Sequence, residues 1–177
     1  SIYSHFDESV ASATIYSDES EHLGRVVSYA GDMDDDGYGD LFISSYNVDP
    51  YGEFSGSIVD GGLLWLVPGP LSGEHAIEDV AITTIAGHVA RAQAGMDVDA
   101  HGDVDGDGHH DVLVGVDSHY TEPRLFYGPM ESGVVWLTSA EVAISGLGVW
   151  ESMTEYVGDT NNDGKTDFLL VDRESIF

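Results

Sequence analysis

Asp103-Val104-Asp105-Gly106-Asp107-Gly108-His109-His110-Asp111 places side-chain oxygens at positions 1, 3, 5 and 9 of a loop, with glycine at position 6. The same spacing occurs at Asp32, Asp34, Asp36, Gly37 and Asp40, and again at Asp159, Asn161, Asp163, Gly164 and Asp167. Each copy follows a glycine and leads into an apolar run. A chain wrapped around a hard cation supplies ligands from alternate residues, and Ca²⁺ takes roughly 6–8 oxygens. Position 6 must turn sharply, which glycine does at little cost because it reaches positive φ freely. Position 7 then offers its backbone carbonyl, so its side chain is free to vary: Tyr38, His109 and Lys165 stand there. The set contains no soft ligand, which disfavours zinc or copper, and Mg²⁺ prefers to keep its waters. Without an ion, each loop would hold several like charges a few ångströms apart. We therefore expect three Ca²⁺, one per loop. The third site should be weakest, because Asn161 replaces an acid and Lys165 adds a positive charge. Asp35, at position 4, should point away from the ion.

Helix-flanked calcium loops are the obvious rival. An EF-hand closes with a bidentate glutamate at position 12, where this chain has Ile43, Val114 and Leu170. Those positions fall in apolar, strand-like runs, so EF-hands and dockerins are set aside.

The loops belong to a longer repeat. Gly24, Gly31, Asp32, Gly37, Asp40, Gly62, Trp65 and Leu66 recur 71 residues later as Gly95, Gly102, Asp103, Gly108, Asp111, Gly133, Trp136 and Leu137. Within the first unit, strands are expected at 26–29, 40–46, 62–67 and 80–85, rich in β-branched and aromatic residues. The second unit gives 96–100, 111–116, 134–137 and 142–144. No segment has a long helical period; one short turn is expected within 72–79. Glu8–Ile15 resembles Glu78–Ile85, so the chain begins near the end of a unit, with 1–5 as a possible earlier strand. Strands near 154–157 and at 167–171 flank the last loop.

Four-stranded units in series, each needing neighbours to bury its faces, suggest β-propeller blades. The expected class is all-β, with blades of four antiparallel strands and about three blade equivalents in a partial propeller. The calcium loops join first and second strands. The units are a trailing half-blade at 1–23, full blades at 24–94 and 95–150, and a leading half-blade at 151–177. Trp65 and Trp136, at matching places, would form the core between blades.

Thirty-three acidic residues against five basic ones give a formal charge of −28. Three Ca²⁺ would leave the chain strongly acidic, so nucleic acid and anionic membrane are poor partners. A saline source would fit the scarcity of lysine, while calcium loops are acidic on their own account. There is no cysteine, hence no disulfide framework. The longest apolar runs are strand-length, which argues against membrane insertion.

These residues resemble the FG-GAP repeat, the blade of the integrin alpha-subunit propeller and of related bacterial proteins. Leu23-Gly24 and Ala94-Gly95 stand for the Phe-Gly pair of that pattern. Val114-Gly115-Val116 lies near its Gly-Ala-Pro, and Gly133-Val134-Val135-Trp136-Leu137 matches its later strand. The third copy has Glu151 in place of the glycine. The resemblance implies a propeller with structural Ca²⁺ and a role in extracellular or cell-surface recognition or adhesion, through a protein or glycan ligand. Closed rings in the family usually have seven blades, so this arc implies a homo-oligomer or the remainder of a longer propeller.

No catalytic constellation stands out: there is no Gly-x-Ser-x-Gly elbow, His-Glu-x-x-His or phosphate loop. His101, His109 and His110 cluster around the second loop and read as surface residues of a calcium turn, with a proton role as the other possibility. A non-catalytic recognition module is the leading expectation. The alternative is part of a calcium-dependent secreted enzyme, of polysaccharide-lyase or phospholipase type. Such an enzyme would want a basic residue in a groove. Only Arg25, Arg91, Arg124, Arg173 and Lys165 are candidates, and nothing in the sequence pairs the arginines.

Overall fold

The computed structural model describes residues 12–17, 22–50, 58–117, 121–145 and 153–171. The expected strand at 1–5 lies outside them. The elements in chain order are β1 (Ala13–Tyr16), β2 (Val27–Gly31), β3 (Asp40–Ser45), β4 (Leu63–Val67), β5 (Gly73–Ala76), a single helical turn α1 (Ile77–Val80), and β6 (Thr83–Ala86). Then come β7 (Val98–Gly102), β8 (Asp111–Val114), β9 (Arg124–Phe126), β10 (Gly133–Trp136), a 3₁₀ turn at Leu137–Ser139, β11 (Val142–Ala143), β12 (Met153–Gly158) and β13 (Asp167–Val171).

Among the described residues the strands form four sheets, none closed on itself. A central sheet has the order β10-β6-β4-β3-β2, and a second sheet has the order β11-β9-β8-β7. The β12–β13 and β1–β5 pairs complete the set. Strands β2, β3, β4 and β6 run antiparallel as one meander, and β7, β8, β9 and β11 repeat it.

The sheets pack face to face, which explains the apolar patterning. Every residue of β4 is buried, as a strand covered on both faces must be. Leu64 and Leu66, with Phe42 and Ile85, share one cluster with Val98, Val112, Val114 and Phe126 of the second sheet. The alternate residues Leu63, Trp65 and Val67 join Ile43 and Ile77 on the opposite face, against Ile15 of β1. Leu113 and Leu125 turn to the far face of the second sheet and meet Tyr156 and Leu170 of the β12–β13 pair. Phe42 is 1 % exposed, and truncating it to alanine should cost about 3–5 kcal/mol.

One expectation is corrected here. Gly133–Trp136 is not the third strand of the second meander. That place belongs to Arg124–Phe126, paired with β8 on one side and β11 on the other. Strand β10 instead crosses to the central sheet and pairs in parallel with β6. Its counterpart is β5, which pairs in parallel with β1. Matching amide bonds start both pairings: Gly73 N donates to Ser12 O at 2.9 Å and Gly133 N to Ile82 O at 2.8 Å. Each also leads into a helical turn. Trp65 and Trp136 therefore hold different places in the repeat, although they pack into one cluster. The physical reason is length: the connection after β8 is shorter than the one after β3, so the offset between the units changes downstream of it.

The first strands of successive meanders lie side by side and are stitched by one recurring bond. Ala100 N in β7 donates to Ser28 Oγ in β2 at 3.2 Å. One unit on, Tyr156 N in β12 donates to Asp99 Oδ2 in β7 at 2.7 Å. Asp97 adds a second stitch, accepting from Thr154 N at 2.6 Å. This approach requires glycine at the strand end. A Cβ on Gly102 would lie 2.4 Å from the Tyr156 ring, and one on Gly31 would lie 2.5 Å from His110.

Candidate metal centre

Each acidic loop leaves the end of a first strand through a bulge and returns as the second strand. In the first loop, Asp32 accepts from Asp36 N at 3.0 Å and Gly37 N at 2.9 Å. Asp34 accepts from Asp36 N at 3.2 Å, and Asp36 from Tyr38 N at 2.8 Å. The second loop repeats this. Asp103 accepts from Asp107 N at 3.1 Å and Gly108 N at 3.0 Å, Asp105 from Asp107 N at 3.0 Å, and Asp107 from His109 N at 2.8 Å. The third loop does so again, with Asp159 holding Asp163 N and Gly164 N at 3.0 and 2.9 Å, Asn161 holding Asp163 N at 2.8 Å, and Asp163 holding Lys165 N at 3.0 Å. The short acids thus fix the turn by accepting local amides.

The ninth residue locks the first two loops into the sheet. Asp40 is fully buried and accepts from Met33 N at 2.7 Å and Gly69 N at 3.0 Å. Asp111, equally buried, accepts from Val104 N at 2.6 Å and Gly128 N at 3.0 Å. Carboxylate oxygens converge: Asp32, Asp34 and Asp40 each present one within 4.8 Å of the other two, as do Asp103, Asp105 and Asp111. Asp36 and Asp107 stand outside these triplets, each committed to a position-7 amide. At such separations like charges repel by ~1 kcal/mol in bulk water and ~4 kcal/mol at an effective dielectric near ~20. The carboxyls respond accordingly. Burial raises the Asp111 pKa against the pull of the Val104 and Gly128 amides, and Asp105 and Asp103 raise it further. Desolvation likewise raises Asp34, opposed by the Asp36 amide and reinforced by Asp40, Asp36 and Asp32. A divalent cation with hard-oxygen preference fits this donor set and would relieve the repulsion.

The third loop differs in its closing residue. Asp167 is not fully buried; it accepts from Thr160 N at 2.9 Å, from the Thr160 hydroxyl, and from Asn161 Nδ2 at 3.3 Å. The Thr160 hydroxyl, then the Thr160 amide, hold its carboxyl below the ordinary carboxylate range. Here the loop's own donors supply what repulsion would otherwise demand from an ion.

Sequence reading set Asp35 at position 4 off the ion but missed the backbone that this position requires. Asp35, Gly106 and Asn162 occupy it with φ of 60°, 82° and 65°. These three residue types are the ones that tolerate left-handed backbone, so the signal was present in residue type rather than in ligand chemistry. It also missed the amides of Gly69 and Gly128, which come from beyond the loops. The histidines divide. His110 packs at the start of the first loop, edge-on to Tyr29 with ring centroids 6.3 Å apart, and its buried Nδ1 has no partner. His101 contacts Asp99 through Nδ1 and meets the Tyr156 ring edge-on at 5.6 Å. Both serve the joints between sheets. Thr166 does the same for the third loop, its amide donating to Asp103 O at 2.7 Å and its hydroxyl accepting from Asp103 N at 3.1 Å. The arginines are not all unpaired: Arg124 bonds Glu122 at 3.2 Å, and Arg25 lies 5.7 Å over the Tyr46 ring.

A family model described as the FG-GAP-like repeat matches residues 103–170. The match runs from the first acid of the second loop into β13 and bears out the family resemblance over those residues. No curated protein matches the chain. Among the described residues, no helix is long and apolar enough to cross a membrane.

Proposed function

We propose that this chain is a calcium-stabilised, non-catalytic recognition module of the integrin-alpha-like propeller kind, working outside the cell on a protein or glycan ligand. Its blades are the units 24–94 and 95–150, flanked by half-blades at 1–23 and 151–177. The observation that carries the reading is the threefold hydrogen-bond skeleton of the loops, two of which gather three carboxylates each. Asp32, Asp34, Asp36 and Asp40 would hold one Ca²⁺ with the Tyr38 carbonyl. Asp103, Asp105, Asp107 and Asp111 would hold a second with His109, and Asp159, Asn161, Asp163 and Asp167 a third with Lys165. Bound calcium would neutralise the clustered acids and tie each first strand to its second. The chain's own groups do the rest: amides orient the carboxylates, and the buried Asp40 and Asp111 anchor the first two loops to the Gly-Pro segments after the third strands. Of the basic residues that an enzyme would need, Arg124 and Arg25 are engaged in structural contacts.

Magnitudes make the ion structural. Binding to the folded state alone stabilises by RT ln(1 + [Ca²⁺]/Kd), about 2.7 kcal/mol per site at ~1 mM calcium and a Kd of ~10 μM, or about 1.4 kcal/mol at ~100 μM. Three sites would contribute about 4–8 kcal/mol of a usual total of roughly 5–15 kcal/mol. Melting curves of chelator-treated protein test this. Calcium should restore a large loss in Tm, magnesium should restore little, and added salt should recover part by screening. An unmoved melting curve on chelation would refute the reading.

A further inference from the structure

Two faces of the molecule, at β2 and at β12, match the two halves of a joint that it makes twice within itself. On the receiving side of that joint stand Val98 and Ala100 of β7, exposed by 5 % and 0 %, and one unit on Thr154 and Tyr156 of β12, exposed by 5 % and 4 %. The corresponding residues of β2 are Val27 and Tyr29, and each is 56 % exposed. On the giving side, Ser28 and then Asp99 accept the amide of the next first strand. The third residue in that series is Glu155 of β12, which is exposed and flanked by exposed Met153 and Val157.

The apolar filling follows the same rule. Phe42 fills the first joint beside Val98 and Val114, and Leu113 fills the second beside Leu170. The residue at their place in β13 is Leu169, half-buried and outside the cluster that Phe168 and Leu170 form with the second sheet. The residues at the places of Val98 and Val114 are Val27 and Ile43. These two line a hollow of about 340 Å³, together with Ile15 and Leu23. Among the described residues, one face thus carries a hollow and the other carries Leu169, at the place of the Phe42 and Leu113 side chains that fill the internal joints.

We propose that a second copy of this chain docks head to tail on the first. The β12 face of one copy takes the β2 face of the other as β2 takes β7, with Leu169 entering the hollow and Glu155 accepting the Tyr29 amide. The contact is heterologous, so it closes into a ring or propagates. Both copies are strongly acidic, so salt should strengthen rather than weaken it.

The test is sedimentation of the full chain with calcium present, at rising concentration, for wild type, Val27→Asp, Val157→Asp and an equimolar mixture of the two variants. Both positions are exposed, and an unchanged melting curve verifies that each variant folds. Wild type should exceed the monomer mass, more so at high salt. Each variant alone should stay monomeric, because every possible contact then carries an aspartate. The mixture should return a 1:1 pair at twice the monomer mass, since each variant keeps the face the other lacks. A wild type that stays monomeric at every concentration overturns the proposal. So does a variant that still associates alone, or a mixture that stays monomeric while wild type assembles. The melting curve on chelation reads calcium stabilisation separately, so failure of one claim leaves the other intact.

Discussion

The second and third loops share a backbone turn and differ in what closes it. In the second, Asp111 is buried, bonded to Val104 N and Gly128 N, and raised in pKa by burial and by Asp105 and Asp103. In the third, Asp167 is not fully buried, bonded to Thr160 and Asn161, and lowered in pKa. The turn itself therefore does not need a full set of acids; side-chain acceptors on local amides suffice. What the second loop adds is a concentration of charge that only a cation or a proton relieves, together with an anchor to the Gly-Pro segment that follows the third strand.

That contrast can be broken most forcefully at its closing residue. Asp111→Ala removes the acceptor of two part-buried amides, Val104 N in the loop and Gly128 N in the turn after β9. At about 1–3 kcal/mol for each orphaned group, unfolding in denaturant should show a loss of about 2–6 kcal/mol even without calcium. Asp167→Ala should cost far less in the same measurement. Equal losses would mean that burial does not separate the two loops.

A smaller effect belongs to position 4. Gly106→Ala places a Cβ at φ +82°, and left-handed backbone costs about 1–2 kcal/mol for an ordinary residue. Asp35→Ala should pay a similar penalty at φ 60°, whereas Asp35→Gly and Asn162→Gly should be close to neutral. Calcium affinity should hardly move in any of them. A fall in affinity as deep as that of Asp107→Ala would make position 4 a ligand.

The smallest effect is in pH, read on calcium-depleted protein. Asp111 and Asp34 titrate above the ordinary value of 3.8 when folded. The folded state therefore binds the extra protons, and stability should rise as pH falls through their folded pKa values toward 3.8. Asp167 has the opposite sign: its contribution is present above 3.8 and lost as pH falls through its lowered folded value. Asp111→Asn should flatten the first limb and Asp167→Asn the second. Interchanged effects would reverse the assignment.

The loops and most first and second strands were legible because ligand spacing and β-branched runs are local. Strand β9 was not. Arg124-Leu125-Phe126 is three residues long and opens on a charge, while Gly133-Val134-Val135-Trp136 imitates Gly62-Leu63-Leu64-Trp65 almost residue for residue. The better mark of register was the Gly-Pro pair. Gly69 and Gly128 donate to Asp40 and Asp111 at the same distance, so Gly69-Pro70 and Gly128-Pro129 are the true equivalents. The exchange of β5 and β10 onto neighbouring sheets had no local signature, because parallel pairing across units depends on where the sheets stand in space. The stitch through Ser28 and Asp99 was hidden for a related reason: two unlike residues do the same work, and only the partner amide reveals it.

Calorimetric titration of calcium into chelator-treated protein tests the central claim most directly. The account predicts three sites per chain, the weakest in the third loop, so that Asp159→Ala removes only the weakest event and Asp103→Ala removes a tighter one. Fewer than three sites, or loss of the tightest event in Asp159→Ala, would contradict it.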